Sequence, residues 1–166
     1  MFLITIDGPS GSGKTSLASL IESALINAGE KVATVHMDDL YDGWENALSD
    51  SLRERILAII NAADESAQII VPQYNWELAT FSEPLSIPTP DTLIIEGVGS
   101  GQSAVRDFAD ISIWLECPSE IALTRAIDRD GVELSDLLTS WQFQESAHFL
   151  LEQTESAADY RVKSAP

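Results

Sequence analysis

Gly8-Pro9-Ser10-Gly11-Ser12-Gly13-Lys14-Thr15 is the stretch on which the reading of this chain turns. It has the form G-x-x-x-x-G-K-[ST]. A backbone that wraps a phosphate must turn its N–H groups inward, through conformations that glycine adopts cheaply. The helix expected to start near Lys14 adds unpaired N–H groups and the positive end of its dipole. The context fits. Phe2 to Ile6 is a short apolar, partly β-branched run that reads as a buried strand, and Leu17, Leu20, Ile21, Ala24, Leu25 and Ala28 then fall on one helical face. The pattern predicts a nucleoside-triphosphate site built from Gly8, Ser10, Gly11, Ser12, Gly13, Lys14, Thr15 and Ser16. Lys14 supplies the mobile charge for the β- and γ-phosphates, and Thr15 offers a hydroxyl to Mg²⁺. A chance glycine-rich turn would lack both the strand before and the helix after.

Gly29 reads as the stop of the first helix, and Lys31 to His36 as a second strand. A polar and aromatic loop follows at 37–46. Leu48, Leu52, Ile56, Ile59 and Ile60 then mark a second helix ending near Asn61. Between 67 and 90, Gln68-Ile69-Ile70-Val71 suggests a strand, but Pro72, Pro84, Pro88 and Pro90 interrupt what comes after. This stretch reads as a ribbon covering one end of the domain. Thr92 to Ile95 and Asp110 to Leu115 are further strands, 118–129 is amphipathic, 133–157 is helical, and Tyr160-Arg161-Val162 is a last strand. Strands alternating with helices predict an α/β fold, a parallel sheet with helices on both faces. A length of 166 residues predicts a single domain, 1–166.

The chain carries 9 basic and 27 acidic side chains, a formal net charge of −18. Duplex nucleic acid and anionic lipid surfaces are recognised by neutralising cations, so neither is expected as a partner. A bound anion must be held by local donors against the overall field. One cysteine, Cys117, excludes an internal disulfide and reads as a small buried apolar residue. The run before Asp7 has no basic flank and is too short for a signal peptide or a spanning helix. A cytoplasmic protein is expected, and a homodimer stays open.

Ligands of doubly wound sheets sit beyond the carboxyl ends of the strands. Met37-Asp38-Asp39 closes the second strand, so one of these acids faces the phosphates, as a proton acceptor or a holder of a metal-bound water. The alternative is a turn cap. Leu93-Ile94-Ile95-Glu96-Gly97 is an apolar strand closing in an acid, which suits Glu96 to Mg²⁺. Arg125 and Arg129, four apart, suggest a lid over about 118–133 that clamps a transferring phosphate, with Gly131 as its turn. The alternative is a pair of surface arginines bonded to Asp128 or Asp130. Tyr41, Trp44, Tyr74, Trp76 and Phe81 form either a minor core or a stacking surface for an acceptor ring. His36 and His148 read as packing or surface residues, and Trp141, Phe143 and Phe149 as helix packing.

GPSGSGKT (8–15), MDDLYDGW (37–44), PQYNW (72–76) and LIIEG (93–97) together resemble the uridine kinase-like branch of P-loop small-molecule kinases, which includes phosphoribulokinase. The resemblance spans roughly residues 2–131 and implies a P-loop NTPase three-layer sandwich with a five-stranded, mostly parallel sheet. It places the proton acceptor on Asp38, with Asp38, Thr15 and Glu96 around Mg²⁺. It sets Tyr41 and Tyr74 at the acceptor, where Asp39 and Trp44 are further candidates by position, and makes Arg125 and Arg129 lid arginines. The implied activity is transfer of a phosphoryl group from ATP to a hydroxyl of a small molecule, a nucleoside in the first instance. The family's His-Ser-Arg element after Pro-x-Tyr is absent, since the run here is Glu77-Leu78-Ala79-Thr80-Phe81. The kinase chemistry therefore carries over better than the uridine specificity. The first block is also similar to cytidylate kinase. A monophosphate acceptor would need its own basic clamp, for which Arg106 is a candidate beside Arg53, Arg55 and Arg161. A small acid or sugar kinase and a non-catalytic nucleotide binder stay as alternatives. A GTPase lacks its Asn-Lys-x-Asp reader here.

Overall fold

A computed structural model of the chain describes residues 1–65 and 67–164. Leu3, Ile4 and Ile6 sit on β1 (Phe2–Asp7), and Leu93, Ile94 and Ile95 on β7 (Thr92–Glu96), the two strands that lie side by side at the centre of the sheet. Successive side chains of a strand point to opposite faces. Ile4, Ile6 and Ile94 therefore meet Ala18, Leu17, Ile21 and Leu25 of α1 (Lys14–Asn27) on one side. Leu3, Leu93 and Ile95 meet Leu52, Ile56, Ile59 and Ile60 of α2 (Asp50–Asp64) on the other. Trp141 of α5 (Ser135–Glu152) joins this second, larger core.

β2 (Val32–His36), β7, β1, β8 (Ile111–Glu116) and β9 (Tyr160–Lys163) form one sheet in that order, every pair parallel. The five-stranded parallel sheet with helices on both faces is thus as expected, including the final strand. In the excursion, β3 (Ile69–Val71) pairs antiparallel with β6 (Leu85–Ile87), and β4 (Tyr74–Asn75) with β5 (Thr80–Phe81). Two small ribbons stand where one was expected. The short helix α3 (Ser103–Arg106) had no signal in the sequence, because four residues carry no periodicity. α4 (Ser119–Asp130) follows β8, and α6 (Thr154–Ala157) precedes β9.

The end of α1 is set by backbone geometry. Gly29 sits at φ 95°, its N–H donates to the Ile26 carbonyl and that of Glu30 to Leu25, the double bond of a Schellman stop. The apolar stripe of α1 is narrower than its sequence suggests: Leu20 is 70% exposed. Phe143, expected to pack, is 74% exposed, whereas Phe149 packs edge-on against Trp114 with ring centroids 4.8 Å apart.

Ile56 is fully buried between α2 and the sheet. Ile56→Ala is expected to lower the free energy of unfolding by about 2–5 kcal/mol, read as a shifted urea midpoint at unchanged slope.

Candidate active site

The site begins where β1 ends. Asp7 is buried, and its carboxylate accepts the N–H groups of Gly8 at 2.8 Å, Gly99 at 3.1 Å and Gly101 at 2.9 Å. These bonds tie the loop after β1 to the loop after β7. Burial outweighs the bonds and the Lys14 charge, and pushes the Asp7 pKa up to about 6.

From Asp7 the chain turns tightly through 8–13 into α1. Gly11 has φ 81°, and a Cβ there would run into the Ala122 carbonyl of α4, so only glycine lets loop and helix approach this closely. Gly13 caps α1 in the left-handed region, and the first turn of α1 has neither an acid nor a side-chain cap. Its first N–H groups are left facing the space beyond the sheet. The Lys14 ammonium folds back onto the carbonyls of Gly8 at 2.8 Å and Pro9 at 2.9 Å. Ser10 is held from the other side by Glu145 of α5, whose carboxylate accepts its N–H at 3.0 Å.

A cavity of about 830 Å³ opens at this end of the sheet. At one end it is lined by Ser10, Gly11, Gly13, Lys14, Thr15 and Ser16. The Thr15 hydroxyl donates to Glu96 Oε1 at 3.0 Å, and the same oxygen meets His36 Nδ1 at 2.6 Å. The Glu96 contact holds the His36 pKa above its usual value. Asp38 opens into the cavity from the turn Met37–Asp39 that follows β2. The surrounding protein pushes its pKa up, the charges of Lys14 and Arg129 pull it down, and Glu96 adds repulsion. Arg125 and Arg129 of α4 line the same end. The Arg129 guanidinium is bonded to Asp130 at 2.6 Å, and Arg125 donates to Ser164, whose hydroxyl donates to the Ser12 carbonyl.

Aromatic rings close the other end. Trp44 lies 5.1 Å from Trp76 and 5.9 Å from Trp141, centroid to centroid, and Tyr41 lies 5.6 Å from Trp141. The Tyr41 hydroxyl donates to the Val98 carbonyl at 2.8 Å. The Trp76 indole donates to the Asp38 carbonyl at 3.1 Å, which fixes the excursion to the turn after β2.

Lys14, Thr15, Asp38, Glu96, Arg125 and Arg129 thus share one cavity with Tyr41 and Trp44. Gly8, Ser12, Asp39, Tyr74 and Arg106 are not on its wall. Gly8 and Ser12 are buried in the loop. Asp39 sits beside His36, and Tyr74 backs Trp76 with centroids 5.1 Å apart. Arg106 donates to the carbonyls of Gly101 and Glu152, at 2.7 and 2.8 Å. Of the five rings offered as a stacking surface, Tyr41, Trp44 and Trp76 line the cavity and Tyr74 and Phe81 do not, while Trp141, His36 and Glu145 belong to the site or its frame without having been assigned to it. The i,i+4 spacing of Trp141 and Glu145 was the available signal.

Among the described residues no group of three His, Cys, Asp or Glu side chains is arranged to hold a metal. A hydroxyl with one or two carboxylates is nevertheless a donor set that suits Mg²⁺, which keeps several waters and takes further ligands from phosphate oxygens. Among the described residues no helix is long and apolar enough to cross a membrane.

A family model described as an AAA domain matches residues 4–135. The chain belongs to this family. It is 29% identical over 150 residues to a uridine kinase of Schizosaccharomyces pombe, covering 76% of this chain and 31% of that protein. It is 28% identical over 146 residues to a uridine kinase of Halobacterium salinarum, covering 80% of this chain and 64% of that one. This AAA-domain chain therefore spans less than two thirds of either relative. Its fold matches the structure of a possible uridine kinase from Bacillus stearothermophilus with a TM-score of 0.71 at 24% identity, over 96% of this chain and 87% of the other.

Two measurements check the frame of the site. The Asp7 carboxyl is expected to titrate near pH 6 by carbon-detected NMR. Its contribution to stability is full below about pH 4, where the unfolded carboxyl is also protonated, and is lost as the pH rises through about 6. Gly11→Ala is expected to displace the loop from α4 and to lower the thermal midpoint of unfolding relative to the unaltered chain.

Proposed function

We propose that this chain is an ATP-dependent kinase that moves the γ-phosphoryl group of ATP to a hydroxyl of a small molecule of the nucleoside class. The observation that carries the reading is the Thr15–Glu96 contact at 3.0 Å, set at the mouth of the glycine-rich loop in the same cavity as Asp38 and the aromatic wall. The uridine kinase relatives support the acceptor class.

In this reading the amides at the start of α1 and the Lys14 ammonium hold the β- and γ-phosphates. Lys14 exchanges two neutral carbonyls for charged oxygens. Thr15, Glu96 and Asp38 would hold Mg²⁺, which supplies charge neutralisation and alignment of the phosphate oxygens when bound. The acceptor lies against Trp44, Trp76 and Trp141 with its hydroxyl toward Asp38. The Asp38 carboxylate takes the hydroxyl proton as the new oxygen–phosphorus bond forms. The bond from the γ-phosphorus to its bridging oxygen breaks, and ADP leaves with those electrons. Arg125 and Arg129 neutralise charge on the moving phosphoryl group, so the chemistry is positioning and electrostatics.

A monophosphate acceptor is not favoured. The cations on the cavity wall, Lys14, Arg125 and Arg129, serve the triphosphate in this reading, and the arginines outside α4 are engaged elsewhere. Arg106 holds two carbonyls, Arg53 pairs with Asp50, Arg161 with Glu155, and Arg55 lies over the Phe81 ring at 4.5 Å.

ADP release is to be followed with MgATP and a panel of nucleosides, nucleoside monophosphates, sugars and small hydroxy acids. A nucleoside is expected to elicit turnover. Asp38→Asn should lower kcat by about 10²–10⁴ with the KM for MgATP little changed. Near-full turnover in Asp38→Asn removes the base assignment. No turnover with any acceptor, together with no thermal stabilisation by MgATP, removes the kinase reading.

A further inference from the structure

We infer that Glu145 is a positioning residue that sets the distance between the triphosphate loop and the acceptor wall while touching neither substrate. This rests on the kinase reading above and names a residue that the motifs of that reading do not contain.

Glu145 is 1% exposed and is not on the cavity wall. Its carboxylate accepts the Ser10 N–H with oxygens at 3.0 and 3.3 Å. The adjoining residue, Gly11, lies against α4, so the loop is held between two helices. One turn before Glu145 on the same helix, the Trp141 indole walls the other end of the cavity in contact with Tyr41 and Trp44. The Trp141 side chain also acts on the Glu145 carboxylate, favouring its ionised form. One helical turn therefore carries both the tether of the loop and the wall of the acceptor pocket. A change in the tether therefore alters the spacing between the loop and the acceptor wall.

A buried carboxylate is an expensive way to satisfy one backbone N–H. Burial and the neighbouring Asp7 push the Glu145 pKa up to about 7, against the Ser10 N–H, Lys14 and the Trp141 side chain, which pull it down. A shorter hydroxyl side chain would not span the gap between α5 and the loop. Above about pH 7, where the group is ionised, its charge strengthens the bond to the Ser10 N–H. The position is one where a displacement of about 1 Å is costly, because in-line transfer requires reacting atoms held near 3–3.5 Å.

Steady-state kinetics of Glu145→Ala, Glu145→Gln and the unaltered chain, alongside urea unfolding of each, test the assignment. Glu145→Ala is expected to lower kcat by about tenfold to a hundredfold and to raise the KM of both MgATP and the acceptor. Glu145→Gln keeps an oxygen for the Ser10 N–H and should recover most of both KM values. Should Glu145→Ala not fold, Glu145→Asp carries the same test. It keeps the charge but is one methylene too short for Ser10, and the same rise in both KM values is expected. A wild-type KM for either substrate in the folded Ala or Asp variant, with a loss of rate that only follows the folded fraction, overturns the assignment. If the unaltered chain shows neither MgATP binding nor turnover, the kinase reading fails first. Normal kinetics in the unaltered chain with unmoved KM values in the variants defeats this inference alone.

Discussion

Three backbone N–H groups converging on the buried Asp7 carboxylate are the interaction on which the site depends. β1 delivers the glycine-rich loop and β7 delivers Glu96. Hydrogen bonding along the sheet fixes the strands in register, Ile6 against Glu96, and extends one residue further, to the Gly97 N–H on the Ile6 carbonyl. Beyond that point the Asp7 side chain ties the two loops together. Asp7 does so by accepting from Gly8 on one loop and from Gly99 and Gly101 on the other. The cost is a desolvated acid, visible in its raised pKa. A neutral side chain with mixed donor and acceptor ends could not face three donors.

The net charge of −18 raises the question of how such a chain would hold a polyanion. Distance decides. Charges on the far surface are screened beyond roughly 8–10 Å at ordinary salt. The amides at the start of α1, Lys14, Arg125 and Arg129 act at contact distance in a partly enclosed space, where each is worth more. Of the acids that line the cavity, Asp38 and Glu96 have chemistry to perform in the proposed reading, and Asp130 pairs with Arg129. Tyr41, Trp44, Trp76, Trp141, Val98 and Leu134 supply uncharged stretches of the wall. The cavity is thus divided into an ionic half and an apolar half, and this division narrows the acceptor class more than the overall composition does.

The ionic half was legible in the sequence because its parts are short and local. A glycine-rich turn between an apolar run and a helical stripe, an acid closing an apolar strand, and two arginines four apart each fit within a few residues. The parallel sheet followed from alternation of element types. What stayed hidden depends on distance along the chain. Glu145 meets Ser10 across 135 positions and reads locally as one more polar residue of a long helix. Trp141 reads as packing until α5 is docked against Tyr41 and Trp44. Arg106 reads as a free cation until the loop carbonyl of Gly101 and the end of α5 are brought to it. Asp39 and Asp38 were separated mainly by the family resemblance, since neighbours in a turn carry no periodicity that says which one faces inward.

The cations of the ionic half are all engaged. Lys14 holds two carbonyls of its own loop, Arg129 holds Asp130, and Arg125 reaches the loop through Ser164. The Lys14 partners are neutral. The Arg129 guanidinium is largely exposed, and such pairs contribute only about 0–1 kcal/mol. These contacts keep the side chains near the cavity without binding them tightly. A phosphate oxygen offers each of them a charge-assisted bond instead. In the proposed kinase, loading the triphosphate is then an exchange of partners in place. Little ordering is needed, because the loop is already clamped between α4 and Glu145 and α4 already lines the cavity. The demand falls on the acceptor side, where the Trp76 bond to the Asp38 carbonyl makes the wall that receives the acceptor and the group that would take its proton a single mechanical unit.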